Sequence, residues 1–223
     1  MFIDLHTHSL QQEKNCIRIV NSCDTIPTDN TYLSAGLHPW ELTTEWKEKF
    51  ATIKTAATQP HIVAIGECGI DKVKSPADSE TQKEALTAHA LLAEERGKPL
   101  ILHCVKGAEE IIALHKKIAP QQAWIIHGFR GKPEQAAQLL REGLYLSYGE
   151  KFNTHSLKAT PLNRLFIESD TSTTPIKDIY STIAQERGTS IEELTKAIHQ
   201  NAATCNLAIQ AGTSLTTTGQ KEQ

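Results

Sequence analysis

Short apolar runs alternate with longer stretches of helical spacing through the middle of the chain. "HIVAIGE" (61–67), "KPLILHC" (98–104), "AWIIHG" (123–128), "LYLSYG" (144–149) and "RLFIESD" (164–170) are brief and almost continuously apolar, the mark of strands buried on both faces. Between them, "SETQKEALTAHALLAEERG" (79–97), "AEEIIALHKKIA" (108–119) and "KPEQAAQLLREG" (132–143) place apolar residues three and four apart. The last of these has Pro133 near its start and Gly143 at its end, as helices prefer. This alternation predicts βα units around a parallel sheet. "IKDIYSTIAQERG" and "SIEELTKAIHQNAATCNLAI" read as two closing helices, and the small polar stretch "AGTSLTTTGQKEQ" as a flexible tail.

The N-terminal third differs. "MFIDLHTH", "CIRIVNS" and "TYLSAGLHP" look like strands, but the connectors "SLQQEKN" and "CDTIPTDN" are too short to hold helices. Parallel neighbours usually need a crossover of a dozen or more residues. These strands are therefore expected either to depart from parallel pairing or to leave one strand outside the barrel. The predicted fold is α/β, a TIM-like (β/α) barrel shortened or distorted in this third, where crossover helices after strands 1 and 2 are missing. One domain is expected over residues 1–207, with residues 208–223 as the tail.

Composition narrows this picture little. At 39% hydrophobic and 22% charged, the chain can bury a core and has no disordered bias. A net charge of -3 argues against a strongly cationic nucleic-acid surface. It does not exclude a nuclease, because bound metal ions supply local positive charge. Five cysteines, an odd number without a CxxC pair, fit reduced thiols and a cytoplasmic protein. Asp4 and His6 interrupt the first apolar stretch, so no signal peptide is expected. No run is long enough to span a membrane, and nothing implies an obligate protein partner.

The chemistry lies at the strand ends. His6 and His8 end the first strand, His38 follows the third, Glu67 ends the fourth, and His103, His127 and Asp170 end later ones. That rim is where (β/α) barrels build their active sites. A spacing of two puts His6 and His8 on one face of a strand. Imidazole nitrogen and carboxylate oxygen suit Zn²⁺ and Mn²⁺, and oxygen-rich sets suit Mg²⁺. Each residue alone has a plain structural explanation: a chance His-x-His, a helix-start carboxylate at Glu67, a helix cap at Asp170. None of these explains why they gather at successive strand ends, and burying so many ionisable groups without metal or partners is costly. Cys68 and Cys104, one past a candidate ligand each, are expected to pack outward. His61, His89, His115, His155 and His199 read as structural or surface residues.

The ordered set "DLHTH", "GLHPW", "IGECGID", "ILHC", "IIHGF" and "ESD" resembles the TatD-like metal-dependent hydrolases of the amidohydrolase superfamily, over about residues 2–207. The resemblance implies a one- or two-metal site for Mg²⁺, Mn²⁺ or Zn²⁺ and phosphodiester hydrolysis, typically of DNA. It implies that His6, His8 and Asp170 bind one ion, that Glu67 bridges, and that His103 and His127 bind the second. Asp170 would take the proton of the attacking water and His38 would touch substrate phosphate. Such ions lower the pKa of bound water toward neutrality. The chain also departs from the family. The usual Arg two residues after the fifth-strand His is missing: "HCVKG" has Val105 there and Lys106 one later, a point charge without the guanidinium fork. Arg130 in "GFRG" is a candidate to compensate, and the family's "R-N-E-P" pattern after Asp170 is absent. The substrate is thus expected to be DNA or a small phosphodiester. A small ester, lactone or amide is the alternative, and a metal-bound scaffold without turnover is a third reading that the presence of Asp170 disfavours.

Overall fold

Eight strands stand in chain order in one parallel sheet: β1 (Phe2–Thr7), β2 (Cys16–Asn21), β3 (Thr31–Ala35), β4 (Ile62–Asp71), β5 (Leu100–Val105), β6 (Trp124–Ile126), β7 (Tyr145–Tyr148) and β8 (Leu165–Ile167). The computed structural model describes residues 1–22, 25, 27–28 and 30–210. The sheet curls until its edges meet. Asp170, just past β8, donates its N–H to the His6 carbonyl at 2.9 Å and accepts from the His8 N–H at 3.0 Å. Ser169 adds bonds from its N–H and hydroxyl to Asp4, at 2.8 and 2.6 Å. The result is a nearly closed (β/α) barrel.

Helices α1 (Trp46–Ala56), α2 (Ser79–Arg96), α3 (Ala108–Ile118), α4 (Pro133–Arg141) and α5 (Thr154–Ala159) cross over between β3 and β8, and α6 (Ile176–Arg187) and α7 (Ile191–Thr204) follow. Local sequence sets their ends. Asp78 caps α2 by accepting from Thr81 N–H at 2.7 Å, and Gly97 stops it in the left-handed region. Tyr180 of α6 donates to the Ile3 carbonyl at 2.8 Å, and Asn201 of α7 donates to Leu162 and Leu165 carbonyls, both at 2.8 Å. These buried bonds fasten the last two helices across the β1–β8 seam.

Three expectations need correction. β1, β2 and β3 pair in parallel, inside the barrel, with no helix between them among the described residues. An extended connector over residues 8–15 reaches about 26 Å, enough to return along a strand of about 20 Å. Second, β4 runs four residues past Glu67 to Asp71 and is buried throughout. Third, α1 and α5 were not predicted from the pattern. Of the expected tail, residues 211–223 lie outside the described residues. Gln210 is held, its N–H donating to Tyr32 Oη at 2.9 Å.

His89, in α2, is fully buried; its Nε2 accepts from Leu37 N–H at 3.0 Å while Nδ1 donates to the Ala85 carbonyl at 2.7 Å. It thereby fixes the backbone just before His38. Burial pushes this imidazole down to about 4. The unfolded chain takes the proton near pH 6.5 and the folded chain refuses it until about pH 4, so His89 adds stability above 6.5 that is lost between those values. The loss is about 3 kcal/mol. Chemical denaturation across pH 4 to 6.5 should show a shallower fall in His89→Gln than in the parent; identical slopes would show that His89 does not drive it.

Candidate metal centre

Six polar side chains from the rim gather around Glu67. Its carboxylate is 2% exposed, and its two oxygens face different partners. Oε2 lies 3.1 Å from His6 Nε2 and 3.5 Å from His8 Nε2; Asp170 Oδ1 lies 4.0 and 3.7 Å from the same two nitrogens. Oε1 lies 2.7 Å from His127 Nε2, 2.8 Å from His103 Nδ1 and 3.1 Å from His38 Nε2. Glu67 thus offers one oxygen to each of two groups. Backbone geometry aims it: Asn21 Oδ1 accepts from the Glu67 N–H at 3.0 Å.

The first group fits a divalent ion. Ligands at about 2.1 Å in a tetrahedral arrangement stand about 3.4 Å apart, and the separations here are 3.1 to 4.0 Å. His6 has no exposed surface, yet neither ring nitrogen has a hydrogen bond among the described residues. A buried imidazole whose Nε2 faces two carboxylates without a hydrogen bond has the geometry of a metal ligand. In the second group the contacts are of hydrogen-bond length, with His127 and His103 presenting one nitrogen each.

Carboxylates behind those two rings set their tautomers. His127 Nδ1 faces Glu168 Oε1 at 3.2 Å, and His103 Nε2 faces Asp71 Oδ2 at 3.1 Å. Donating the outer N–H leaves the inner nitrogen free to ligate, the usual arrangement behind metal-bound histidines. Both carboxylates are themselves anchored. Glu168 Oε1 accepts from Gly128 N–H at 2.6 Å, and Asp71 accepts from Trp40 Nε1 at 2.6 Å and from Val73 and Lys74 N–H at 2.8 and 2.9 Å.

Charge follows the same map. Burial would push the Glu67 carboxyl up, but the charge of His127 and bonds from His103, His127 and His38 hold it well below the ordinary range. Burial likewise opposes protonation of His127, and Glu67 and Glu168 outweigh it, raising that imidazole well above its usual value. For Asp71, desolvation is outweighed by the Trp40, Lys74, Val73 and His103 bonds, leaving it at about 2.

His38 plays a different part. Its Nδ1 accepts from the Trp40 N–H at 3.0 Å. A backbone N–H can only donate, so the neutral ring carries its proton on Nε2. That nitrogen points at Glu67 Oε1 as a donor, unlike the inner nitrogens of His103 and His127. Arg130 is exposed and lines a cavity beside Asp170. Lys106 is exposed, in the left-handed region just beyond β5, and is not among the residues that line the central cavity. Its one-residue offset turns it away. Cys68 is buried and Cys104 half-buried, both packed with the core.

A family model described as "TatD related DNase" matches residues 3–206. The chain belongs to the TatD-related DNase family. The "3'-5' ssDNA/RNA exonuclease TatD" of Erwinia tasmaniensis is 33% identical over 153 residues, 64% of this chain and 58% of that protein. The chain thus spans less than two thirds of that relative. The same-named protein of Pantoea vagans is 30% identical over 77% of this chain and 76% of its own length. The metal-dependent hydrolase YabD of Bacillus subtilis is 28% identical over 78% and 76%. Among solved structures, the TatD homolog YJJV of Escherichia coli K12 superposes with a TM-score of 0.80 at 19% identity, covering 92% of this chain and 97% of the other.

Within this TatD-related chain, sequence reasoning singled out neither Glu168 nor Asp71, although both stand inside quoted motifs. Their partners come from β5, β6 and the His38–Trp40 turn, which only the fold brings near. An even spacing, Glu67 to Asp71 on one strand, was the available signal for Asp71.

Proposed function

We propose that this chain is a divalent-metal-dependent phosphodiesterase that acts on single-stranded nucleic acid, DNA first. One observation carries the choice of a polymeric substrate. Three cavities, of about 620, 410 and 270 Å³, meet at Asp170 and Thr171. The central one is lined by Glu67, His8, His38, His103 and His127; Arg18 lines one flank beside Glu13, and Arg130 and Lys151 line the other beside Glu150. A chain of phosphates fits such a trough better than a compact ester does. Trp40, 47% exposed beside His38, is braced by its indole bond to Asp71 and covered by Lys74 Nζ at 4.6 Å from the ring. A base that stacks on this indole would displace Lys74 from the ring. The relatives named above add support.

His6, His8 and Asp170 would hold one ion, His103 and His127 a second, and Glu67 both. Bound ions of this kind supply a water of lowered pKa and offset phosphate charge. Asp170 would accept a proton from such a water. Once Glu67 Oε1 holds an ion, the His38 Nε2–H would turn from it to a non-bridging phosphate oxygen, and Glu168 and Asp71 would keep the rings aligned. Mg²⁺, Mn²⁺ and Zn²⁺ all suit the donor set. The free described cysteines, Cys16, Cys68, Cys104 and Cys205, suit a reducing cytoplasm. No helix of the described residues is long and apolar enough to cross a membrane.

A metal-reconstitution screen tests this reading. Chelated protein should be inactive, and Mg²⁺, Mn²⁺ or Zn²⁺ should restore cleavage of single-stranded DNA or RNA above that of duplex DNA. Full activity under chelation would sink the metal mechanism. Turnover of esters or lactones with no nucleic-acid cleavage would transfer the site to small molecules, for which the central cavity is large enough.

A further inference from the structure

Arg18 is a cation hidden in an apolar strand. It is 3% exposed on β2. Its Nη2 donates to the Ser9 carbonyl, while Nη1 has no hydrogen-bond partner among the described residues. An unmet buried guanidinium nitrogen is unusual and calls for an acceptor. Asp4 stands opposite Arg18 in strand register, but both of its oxygens are taken by Ser169. Arg18 lines the cavity of about 410 Å³ between the loop after β1 and the segment 169–175, which shares His8 and Asp170 with the metal centre. Glu13, on the same wall, is committed to the start of α6, accepting from Ile176 N–H at 3.0 Å. Thr171 and Thr173 complete the lining with hydroxyls. A guanidinium with a spare N–H beside these hydroxyls matches one phosphate, with Asp170 the carboxylate at the metal side of the same cavity.

We propose that Arg18 forms the floor of a subsite for the phosphate next to the scissile one in the nucleic-acid strand. This rests on the phosphodiesterase reading. It moves the main phosphate grip to the β1–β8 flank, away from β5 and Lys106. The strand then passes over Asp170 and Thr171 rather than beside His103.

The test compares a single-stranded oligonucleotide with bis(p-nitrophenyl) phosphate, a diester with one phosphate, using Mn²⁺-loaded protein. In Arg18→Gln the ratio of kcat/KM for oligonucleotide to that for the small diester should fall about tenfold. The loss should sit in KM, and the log–log salt dependence of oligonucleotide binding should flatten by about 0.7. Thr173→Glu, at an exposed position, should lower the same ratio without threatening the fold. Equal loss on both substrates in Arg18→Gln, with no change of ratio in Thr173→Glu, overturns the subsite and leaves Arg18 a folding residue. If the parent cleaves the diester but no nucleic acid, the nucleic-acid reading itself falls, and the subsite with it.

Discussion

Glu67→Gln should lose turnover by about a thousandfold or more, the scale set by the several kcal/mol that metal ions lend a phosphoryl transition state. The substitution keeps size and removes one charge. Its consequence follows from the two oxygens. Oε2 serves His6 and His8 while Oε1 serves His103, His127 and His38. An amide keeps a single carbonyl oxygen, so one of the two groups must face an NH₂ donor instead. Metal stoichiometry by titration calorimetry should fall, and saturating Mn²⁺ should not restore the rate. The fold should survive, because burial already opposes the Glu67 charge and only its histidine partners hold it ionised. Turnover near that of the parent would show that Glu67 neither bridges nor ligates.

The same carboxylate shows what the sequence could and could not reveal. Apolar runs closed by His, Glu or Asp exposed the rim because strand periodicity is local. The extension of β4 to Asp71 passes through Gly66 and Gly69, residues that ordinarily interrupt a strand pattern. They are close approaches: a Cβ at Gly69 would come within 2.0 Å of the His103 carbonyl, and one at Gly66 within 2.3 Å of the Ile101 carbonyl. Helix α1 escaped because it buries only Trp46 and Ile53, too few contacts to leave a helical pattern. The parallel pairing of β1, β2 and β3 was misjudged because typical crossover lengths assume a helix, whereas a bare extended loop suffices here. Arg18 was unreadable for the opposite reason: one charge in "CIRIVNS" has no pattern, and its significance comes from a cavity whose far wall, 169–175, lies more than 150 residues away.

These misses share a cause. The proposed ligands lie where a strand's own alternation puts them. Groups that orient the ligands come from neighbouring elements. Glu168 reaches His127 across β7, and Asp71 reaches His103 from β4 while held by Trp40 from the turn after β3. The centre is therefore one connected hydrogen-bonded set, and a change at Glu168 or Asp71 should register at the metal, by the ten- to hundredfold typical of such outer partners, about one to three kcal/mol.

Asp170→Asn should give a folded protein that binds metal yet turns over about a hundredfold to ten-thousandfold more slowly, the range for loss of a general base. The backbone at Asp170 does structural work that Asn preserves. Asp170 sits at φ +54°, bridges Thr7, and exchanges bonds with His6 and His8 that close the barrel. Asn tolerates this left-handed conformation as well as Asp does. Melting temperature should therefore stay close to that of the parent. The carboxylate is the part that changes: its Oδ1 stands 3.7 Å from His8 Nε2 and 4.0 Å from His6 Nε2, near enough to share their ion and still 22% exposed to reach a water. Asn can keep a weaker carbonyl contact with that ion but cannot accept the water's proton. If Asp170 were a ligand alone, raising Mn²⁺ to saturation would recover the rate. A variant that stays slow with its metal sites full, while still binding oligonucleotide, places proton transfer on this side chain; recovery of the rate at saturating metal takes that role away.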